Sequence, residues 1–333
     1  MTTKPTVAGP DPSKGHTVAV DASSVDPADI ERLRLNFPDV RFASSSNPND
    51  WDDLVRGATI VFGKRLPHHV IVDAPSLRWV QAGTAGVDGV LKVGPWPSHI
   101  ALTNARGVHG IPISEQLVAM MLAFSTRLHV LIRAHFERRS VAREVISTKW
   151  ELAGQTLLVI GLGDIGGSLA FRAEALGMHV IGVKRQPGHV PGCHRVVGLD
   201  HLDDVLPMAD HVALCLPLTP ETKHVIDATR IALIRDGAHV YNVGRGALID
   251  GTALRVALAS GRLGGAGLDC VEPSDTPDPD DDLWEMPNVI LGQHTSGHSP
   301  RNSRAITSLF AENLRRFLAD EPLENQVDPI RGY

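Results

Sequence analysis

Three glycines have the spacing of a phosphate-binding turn. Gly161, Gly163 and Gly166 form G-x-G-x-x-G between an apolar stretch, residues 157–160, and an alanine-rich stretch of helical character. The first glycine permits a tight turn, the second lets the backbone approach a pyrophosphate, and the third lets helix and strand pack closely. The helix then directs its N–H groups and positive dipole end at the phosphates. The pattern predicts a dinucleotide site; the alternative is an ordinary glycine turn in a βαβ unit.

The end of the next strand indicates which dinucleotide is preferred. In an NAD site, an acidic residue about 20 residues past the fingerprint binds the ribose 2′-hydroxyl. Here the apolar stretch 179–183 is followed by Lys184 and Arg185, with no Asp or Glu at the strand end. Two cations suit a 2′-phosphate, so we predict that NADP(H) is preferred and that NAD(H) is possible. The alternative is a pair of solvated loop cations.

Strand-like stretches alternate with helical patterns along most of the 333 residues. This alternation is typical of parallel βαβ units, and the length suggests two domains. We predict an α/β protein with two Rossmann-like or flavodoxin-like parallel-sheet domains and a cleft between them. Residues 108–295 would form the dinucleotide-binding domain, and residues 16–107 with 296–333 the substrate-binding domain, because the helical pattern 301–318 has no strand after it and would return to the first domain. Residues 1–15 are expected to be a flexible tail.

A long helical pattern, Ile113 to about Arg139, precedes the glycine fingerprint. Its apolar band is wider than one stripe, so we expect two of its sides to be buried. The second side is interpreted as a subunit interface, which predicts a homodimer. The alternative is that both sides are buried within one chain.

Composition excludes several classes of partner. The formal net charge is −6, which argues against binding to nucleic acid or to an anionic membrane. Cys193, Cys215 and Cys270 lack C-x-x-C spacing, and Cys215 and Cys270 lie in apolar, strand-like stretches. We therefore expect these two to be buried core thiols in a reducing compartment, and we expect no metal site. No apolar run reaches transmembrane length, and the first residues lack the apolar segment of a signal peptide. A cytoplasmic location is therefore expected.

Five separated motifs occur along the chain at residues 79–88, 102–115, 216–222, 242–246 and 293–297. In sequence and in order they resemble the motifs of the D-isomer-specific 2-hydroxyacid dehydrogenase family. The resemblance covers most of the chain, from about Leu77 to Asp328. It implies a reversible, NAD(P)H-dependent reduction of a small 2-oxo acid, such as glyoxylate or hydroxypyruvate, to the D-2-hydroxy acid.

Two residues that follow strands fit the chemistry of that reaction. Arg245 lies just past a strand end, where open α/β sheets bind ligands, and its planar fork can hold a carboxylate at two points. His294 also follows a strand, and an imidazolium can donate a proton to a carbonyl oxygen as hydride arrives. The resemblance implies that Arg245 orients the substrate and polarises its carbonyl, and that His294 is the acid/base. The alternatives are a solvated loop arginine and a surface histidine.

The glutamate that holds this histidine in the family has no direct counterpart. Five residues after Asp269, where the family pattern places it, the chain has Ser274, and the loop is one residue longer than usual. Asp275 is the favoured partner of His294, and Glu272 is an alternative; a third possibility is that no carboxylate pairs with the histidine. A carboxylate beside the imidazole would favour its protonated form near neutral pH.

The resemblance implies the remaining contacts. Ala85 and Gly86 would offer backbone N–H groups to the substrate carboxylate, unless they form a plain glycine turn. Pro217 and Thr222 would line the nicotinamide and phosphate side, and Asp269 would hold the nicotinamide carboxamide. The full predicted cofactor-binding set is Gly161, Gly163, Asp164, Ile165, Gly166, Lys184, Arg185, Leu216, Pro217, Thr222, Val243, Gly244, Arg245, Asp269, His294 and Gly297.

A second class of function could use the same scaffold. A nucleotide-sensing protein, similar to the family's transcriptional corepressors, would bind the dinucleotide with little or no turnover. The irregular carboxylate position favours this hypothesis, whereas the presence of both Arg245 and His294 argues against it. Oxidation of formate or phosphite by the same fold has no specific support in the sequence.

Overall fold

The computed structural model describes residues 15–330 and 332. Apart from Gly15, the predicted flexible tail lies outside the described residues. Within them the chain forms two compact units. One ends at Val108 and resumes at Ser299, and the other is His109–His298. Each unit is built on one sheet, and all strand pairs in both sheets are parallel, so the predicted α/β class is confirmed.

The first unit contains a five-stranded sheet in the order β2-β1-β3-β4-β5. Its strands are β1 (Thr17–Asp21), β2 (Arg41–Ser45), β3 (Ile60–Gly63), β4 (Trp79–Ala82) and β5 (Ala101–Thr103). The helices between them are α1 (Pro27–Asn36), α2 (Pro48–Arg56), α3 (His68–Ile71) and α4 (Asp88–Leu91). Apolar clusters cover both faces of this sheet, as expected for parallel strands with near-continuous apolar sequence.

The second unit contains a seven-stranded sheet in the order β12-β11-β10-β9-β6-β7-β8. Its strands are β6 (Thr156–Ile160), β7 (His179–Val183), β8 (Arg195–Val197), β9 (His211–Leu214), β10 (His239–Asn242), β11 (Gly265–Leu268) and β12 (Val289–Leu291). Its helices are α5 (Gly110–Ser125), α6 (Leu128–Phe136), α7 (Ala142–Thr148), α8 (Asp164–Ala175), α9 (Leu202–Val205), α10 (Ala228–Leu233) and α11 (Gly251–Ala259).

The strand order of the second sheet reverses direction between β6 and β9. From β6 the chain proceeds to β7 and β8 on one side, and β9 to β12 lie on the other side. Open α/β sheets bind their ligands at the carboxyl ends of the strands beside such a switch point. The glycine fingerprint, which follows β6, lies at this position.

The last helix, α12 (Pro300–Leu318), packs on the first sheet as the sequence predicted. Ser299 caps it by accepting a hydrogen bond from the Asn302 amide, and Pro300 occupies its first turn, where a missing N–H has no consequence. Phe310 stacks on Phe62 with a ring-centroid distance of 4.2 Å. The chain therefore contributes its C-terminal helix to the core of the first unit.

The prediction of one long helix from Ile113 to Arg139 is wrong. The segment forms two helices, α5 and α6, which are bent by 73° relative to each other. The break occurs at Arg127, whose φ of 58° is left-handed and cannot continue a right-handed helix. Among the described residues no single helix is long and apolar enough to cross a membrane; α5 and α6 reach that length only as this bent pair.

Other differences from the sequence prediction are local. The three-residue edge strand β8 and the short helices α4 and α7 were not predicted. Residues 296–298, which were expected in the first domain, belong to the second unit. The reason is that the Ser296 backbone and hydroxyl are hydrogen-bonded to Asp269 of that unit.

Candidate active site

The three glycines of the fingerprint have different surroundings. Gly161 has a φ of +97°, and an added Cβ would lie 2.7 Å from the Cys215 carbonyl oxygen. At Gly166 an added Cβ would overlap the carbonyl oxygen of Gly161, so the helix lies directly against the turn. At Gly163 an added Cβ would meet no atom within 4 Å. The open space at the second glycine is where a dinucleotide pyrophosphate needs close access to the backbone.

The N-terminus of α8 is available to an anion. Gly163 is its N-cap, and no side chain caps the helix, so its first N–H groups keep their hydrogen-bonding capacity. The carboxylate of the next residue, Asp164, does not cap the helix. Its Oδ2 accepts a hydrogen bond of 2.6 Å from the Gly110 amide, at the first residue of α5. Asp164 therefore joins the starts of two helices, and Ile165 packs into the apolar cluster beside them.

The two predicted 2′-phosphate ligands are exposed after β7. The Lys184 amide donates to the Val197 carbonyl of β8, which fixes the backbone at this strand end. In the described part of the chain, the Lys184 side chain makes no ion pair. Arg185 lies within electrostatic range of Glu221: the Thr219 hydroxyl is the main cause that lowers the pKa of Glu221, and the charge of Arg185 lowers it further. Both cations are placed where the sequence predicted them, at the end of β7.

The loop after β9 is closed by one hydroxyl group. Thr222 Oγ1 donates to the Pro217 carbonyl oxygen at 2.7 Å and accepts from the Thr219 amide at 2.7 Å. Leu216 lies between the glycines of two neighbouring loops: an added Cβ at Gly161 would be 2.9 Å from its Cβ, and one at Gly244 would be 2.8 Å from its carbonyl oxygen. The loops after β6, β9 and β10 therefore meet at one edge of the sheet.

The turn that carries Arg245 is held from its own strand. Asn242, which is 1% exposed, ends β10; its Nδ2 donates to the Arg245 carbonyl at 2.8 Å, and its Oδ1 accepts from the Gly244 amide at 3.1 Å. Val243 is buried and donates from its backbone to Leu214 of β9. Asn242 satisfies both sides of the turn, so the backbone of Arg245 is rigidly placed at the strand end.

Asp275 lies beside this arginine. Its Oδ1 accepts a 2.8 Å hydrogen bond from the Gly246 amide, and its Oδ2 is 3.5 Å from Arg245 Nε. The alternative carboxylate, Glu272, is bound to His224 Nε2 at 2.8 Å and to the Gly251 amide at 3.0 Å. Neither Asp275 nor Glu272 contacts His294. Of the three arrangements considered, the structure therefore shows, within the described residues, the one without a carboxylate partner.

The turn that carries His294 is held by the neighbouring strand. Asp269 follows β11 and is 2% exposed; its backbone oxygen accepts from the His294 amide at 2.7 Å. Its carboxylate accepts from the Thr295 amide at 3.0 Å and from the amide and hydroxyl of Ser296. Gln293 and His294 both have left-handed backbones, with φ of 55° and 56°. Asp269 thus shapes a turn that these residue types adopt rarely.

The His294 side chain is exposed, and among the described residues no group forms a hydrogen bond or ion pair with its ring. The residue before the turn, Gly292, has no room for a side chain, because an added Cβ would lie 2.5 Å from Asp269 Oδ1. Gly297 lies beside His109, whose Nδ1 would be 3.4 Å from an added Cβ. The glycine fingerprint, the turn that carries Arg245 (the arginine turn) and the turn that carries His294 (the histidine turn) each follow the carboxyl end of a strand. All three strands belong to one parallel sheet.

Comparison with known proteins identifies this arrangement. The family model for the D-isomer specific 2-hydroxyacid dehydrogenase NAD binding domain matches residues 118–296. The chain belongs to the D-isomer-specific 2-hydroxyacid dehydrogenase family. It is therefore an NAD(P)-dependent 2-hydroxyacid oxidoreductase, and the resemblance and enzyme class predicted from the motifs are confirmed.

Relatives of the dehydrogenase include one curated enzyme and two solved structures. The glycerate dehydrogenase of Methylorubrum extorquens is 29% identical over 324 residues, which are 93% of this chain and 98% of that protein. A family member from Xanthobacter autotrophicus, solved with NADPH and MES, has a TM-score of 0.82 and 28% identity over 96% of this chain and 100% of that one. An NADPH-dependent glyoxylate/hydroxypyruvate reductase from Sinorhizobium meliloti, solved with NADP and sulfate, has a TM-score of 0.82 and 25% identity with the same coverage.

The dehydrogenase carries its predicted substrate loop in the first unit. Thr84 Oγ1 donates to the Gly86 carbonyl at 2.7 Å, and Asn104 Nδ2 donates to the Ala85 carbonyl at 2.7 Å. Both carbonyl oxygens are thus engaged, whereas within the described residues the amides of Ala85 and Gly86 donate to no group. Amides left without an internal acceptor can bind an anion.

The thiols of the dehydrogenase are structural. Burial raises the pKa of Cys215 to about 12, and burial, followed by the charge of Glu174, raises that of Cys193 to about 11. Thiols with such values are protonated near neutral pH and are poor nucleophiles. No disulfide joins the three cysteines, and no cluster of possible metal ligands occurs in the described part of the chain.

Sequence reasoning did not assign roles to Asn242 or to the carboxylate of Asp269 in holding the two turns. Asn242 stands in the quoted motif 242–246, and its position at the end of a buried strand was the available signal. The Asp269 contacts with residues 294–296 join two different strand ends, and no local pattern reports them.

Proposed function

We propose that this dehydrogenase catalyses the reversible reduction of a small 2-oxo acid to the D-2-hydroxy acid, with NADPH as the preferred cofactor. The observation that carries the proposal is the common placement of Arg245, His294 and the glycine fingerprint at the carboxyl ends of one parallel sheet. A guanidinium and an imidazole at that edge supply the two functions, carboxylate binding and proton transfer, that the reaction requires.

Arg245 binds the substrate carboxylate with its planar fork and draws electron density from the adjacent carbonyl. His294, in its imidazolium form, donates a proton to the carbonyl oxygen; in the oxidising direction the neutral ring removes that proton from the hydroxyl group. Bound NAD(P)H supplies the hydride. That Ala85 and Gly86 offer backbone N–H groups to the carboxylate remains a prediction from the resemblance; within the described residues these two amides donate to no other group.

The residues present fit a bound dinucleotide. The open space at Gly163 and the uncapped N-terminus of α8 would accommodate the pyrophosphate. Lys184 and Arg185 would hold the 2′-phosphate, and Leu216, Pro217, Thr222, Val243, Gly244 and Gly297 would line the remaining length. Two relatives solved with NADPH or NADP support this preference. Asp269 as a ligand of the carboxamide remains a prediction, because the described contacts of its carboxylate are to residues 295 and 296.

The test is a panel of 2-oxo acids, including glyoxylate and hydroxypyruvate, run with each cofactor. We expect reduction of at least one acid and a kcat/KM for NADPH about ten to a hundred times that for NADH, since a charge-assisted contact contributes roughly 1.5–3 kcal/mol. Lys184→Ala should lower the ratio of kcat/KM for NADPH to kcat/KM for NADH, and it should leave kcat/KM for NADH unchanged. Comparable kcat/KM values for both cofactors would defeat the preference.

A second candidate function is nucleotide sensing without turnover. It is favoured by one observation: among the described residues no carboxylate contacts the His294 ring, so the acid/base pair usual in the family is not formed in this structure. The same panel distinguishes the candidates. The sensor would be favoured if titration shows that NADPH binds, but no acid causes loss of absorbance at the reduced-nicotinamide band.

We also propose that the dehydrogenase is a homodimer through α6 and α7. In α6, Phe136 is 80% exposed and Leu128, Leu131 and Ile132 are also exposed, and in α7 Ile146 is 71% exposed. An exposed apolar surface of this kind is typical of a protein–protein contact, and a second copy of the chain is the partner we propose. Light scattering should show a dimer for the wild type and a monomer for Phe136→Glu. A cytoplasmic location remains a prediction.

A further inference from the structure

Within the described residues the Asp275 carboxylate makes two contacts, and both are to the arginine turn. One carboxylate oxygen accepts from the Gly246 amide at 2.8 Å, and the other is 3.5 Å from Arg245 Nε. The Asp275 backbone is itself fixed, because its carbonyl oxygen accepts from the Val271 amide at 3.3 Å. The carboxylate thus contacts the backbone of Gly246 and the side chain of Arg245, the residue proposed to bind the substrate carboxylate.

The packing around this contact leaves little freedom. An added Cβ at Gly246 would overlap the Val271 carbonyl oxygen, so the arginine turn and the segment 271–275 are in direct backbone contact. Asn242 donates to the Arg245 carbonyl and accepts from the Gly244 amide. The backbone of Arg245 is therefore fixed by Asn242, and the Nε end of its guanidinium group is restrained by Asp275.

The other carboxylate of the segment is committed elsewhere. Partial burial raises the pKa of Glu272, but hydrogen bonds from His224 and the Gly251 amide outweigh burial and hold that pKa below its ordinary value. Glu272 therefore stabilises the start of α11 and is not available to Arg245. Asp275 is the carboxylate in this segment that contacts the arginine.

We infer that Asp275 is a positioning residue for Arg245 and that it acts on substrate binding, not on proton transfer by His294. The inference rests on the proposed function. The ion pair at Nε and the hydrogen bond that Arg245 donates from one terminal nitrogen to the Gly244 carbonyl, at 2.8 Å, together hold the guanidinium plane in one orientation. The charge of Asp275 also reduces the mobility of a long side chain, which would otherwise be ordered only when the substrate binds.

The experiment compares Asp275→Asn with Asp280→Asn, which makes the same chemical change at an exposed residue of the same loop. Each variant is titrated with oxamate, an unreactive 2-oxo acid analogue, in the presence of NADPH, and its steady-state kinetics are measured from pH 5 to 9. For Asp275→Asn we expect the oxamate Kd and the substrate KM to rise about tenfold, equivalent to about 1.4 kcal/mol. We expect kcat to change less, and NADPH affinity and the shape of the pH profile to be unchanged.

Asp280→Asn should match the wild type in every measurement. Asp275→Glu, which restores the charge on a longer side chain, should recover part of the oxamate affinity, whereas a purely structural role would give no recovery. Unchanged oxamate affinity in Asp275→Asn would overturn the inference, and a shift in the acid limb of kcat would assign Asp275 to His294 instead. A wild type that binds NADPH but neither binds oxamate nor reduces any acid would refute the proposed function, and with it the inference.

Discussion

The two turns that carry Arg245 and His294 are built in opposite ways. The arginine turn is held from within by Asn242 of its own strand, and its glycines fit where no Cβ has room. The histidine turn is held from outside by Asp269 of the neighbouring strand. It places two non-glycine residues in the left-handed region. The arginine turn is therefore held in part by a side chain of its own strand, whereas the hydrogen bonds of the histidine turn come from a residue that follows the neighbouring strand.

This difference matches the roles that the side chains are proposed to play. A residue that binds a planar carboxylate benefits from a fixed backbone, and Arg245 is only 21% exposed in its side chain. A residue that transfers a proton must reach the substrate, and His294 is exposed. Left-handed, non-glycine backbone costs on the order of 1–3 kcal/mol per residue, and the four hydrogen bonds to Asp269 offset that cost.

The largest effect should separate the two turns by kinetic parameter. His294→Asn should lower kcat by roughly 10²–10⁴-fold with little change in KM, because a positioned acid/base contributes about that factor. Arg245→Lys keeps the charge but loses the fork, so it should raise KM for the 2-oxo acid roughly 10–100-fold. Steady-state kinetics at saturating NADPH measure both. If the histidine variant changed KM alone, the proposed division of roles would be wrong.

The dependence of the histidine turn on Asp269 gives the next effect. Asp269→Asn replaces one acceptor oxygen by a donor that faces the Ser296 and Thr295 amides, and each unpaired buried group costs about 1–3 kcal/mol. We expect a lower Tm and a lower kcat. Ser296→Ala removes one of the same bonds from the far side of the turn and should lower kcat more mildly. Should only the Asp269 variant weaken NADPH binding, with kcat of Ser296→Ala unchanged, Asp269 would instead be a ligand of the nicotinamide carboxamide.

The arginine turn should be broken by adding a single methyl group. Gly246→Ala forces a Cβ into the Val271 carbonyl oxygen, and overpacking of this kind costs roughly 1–3 kcal/mol. Thermal or urea unfolding of the purified protein measures the loss. Gly163→Ala is the matched control, since its Cβ meets no atom within 4 Å; it should retain wild-type stability and lose NADPH affinity. Equal destabilisation by both variants would contradict this distinction between the glycines.

The smallest effect is expected at the histidine turn and has the opposite sign. Gln293→Gly should stabilise the protein by roughly 0.5–1 kcal/mol, because glycine adopts φ of 55° without the steric penalty that glutamine bears. Gln293→Ala keeps the Cβ and should show no such gain. A loss of stability in the glycine variant would mean that the turn is not strained.

The sequence predicted those parts of the molecule whose cause is local. The glycine fingerprint, the strand ends that carry Arg245 and His294, and the apolar spacing that brings α12 to the first sheet all follow from neighbouring residues. The break between α5 and α6 was missed because nothing near Arg127 signals a left-handed residue. The three-residue strand β8 was missed because an edge strand of that length has almost no periodicity.

The carboxylate partner of the histidine was beyond the reach of spacing. Counting from Asp269 gives Ser274 or Asp275, but spacing does not say which turn the carboxylate faces. The structure directs Asp275 to Gly246 and Arg245 and directs Glu272 to His224. These pairings depend on how the segment 271–275 packs on the arginine turn. That packing exists only in the folded chain, so spacing along the sequence does not reveal it.

The most direct test of the account is the product of a single reaction. The wild-type protein is incubated with NADPH and hydroxypyruvate or a larger 2-oxo acid, NADPH loss is followed by absorbance, and the hydroxy acid is resolved by chiral chromatography, with His294→Asn as the comparison. We predict one D-2-hydroxy acid formed for each NADPH consumed, and almost none in the variant. NADPH that binds but is not consumed, or product that is the L-isomer, would contradict the account.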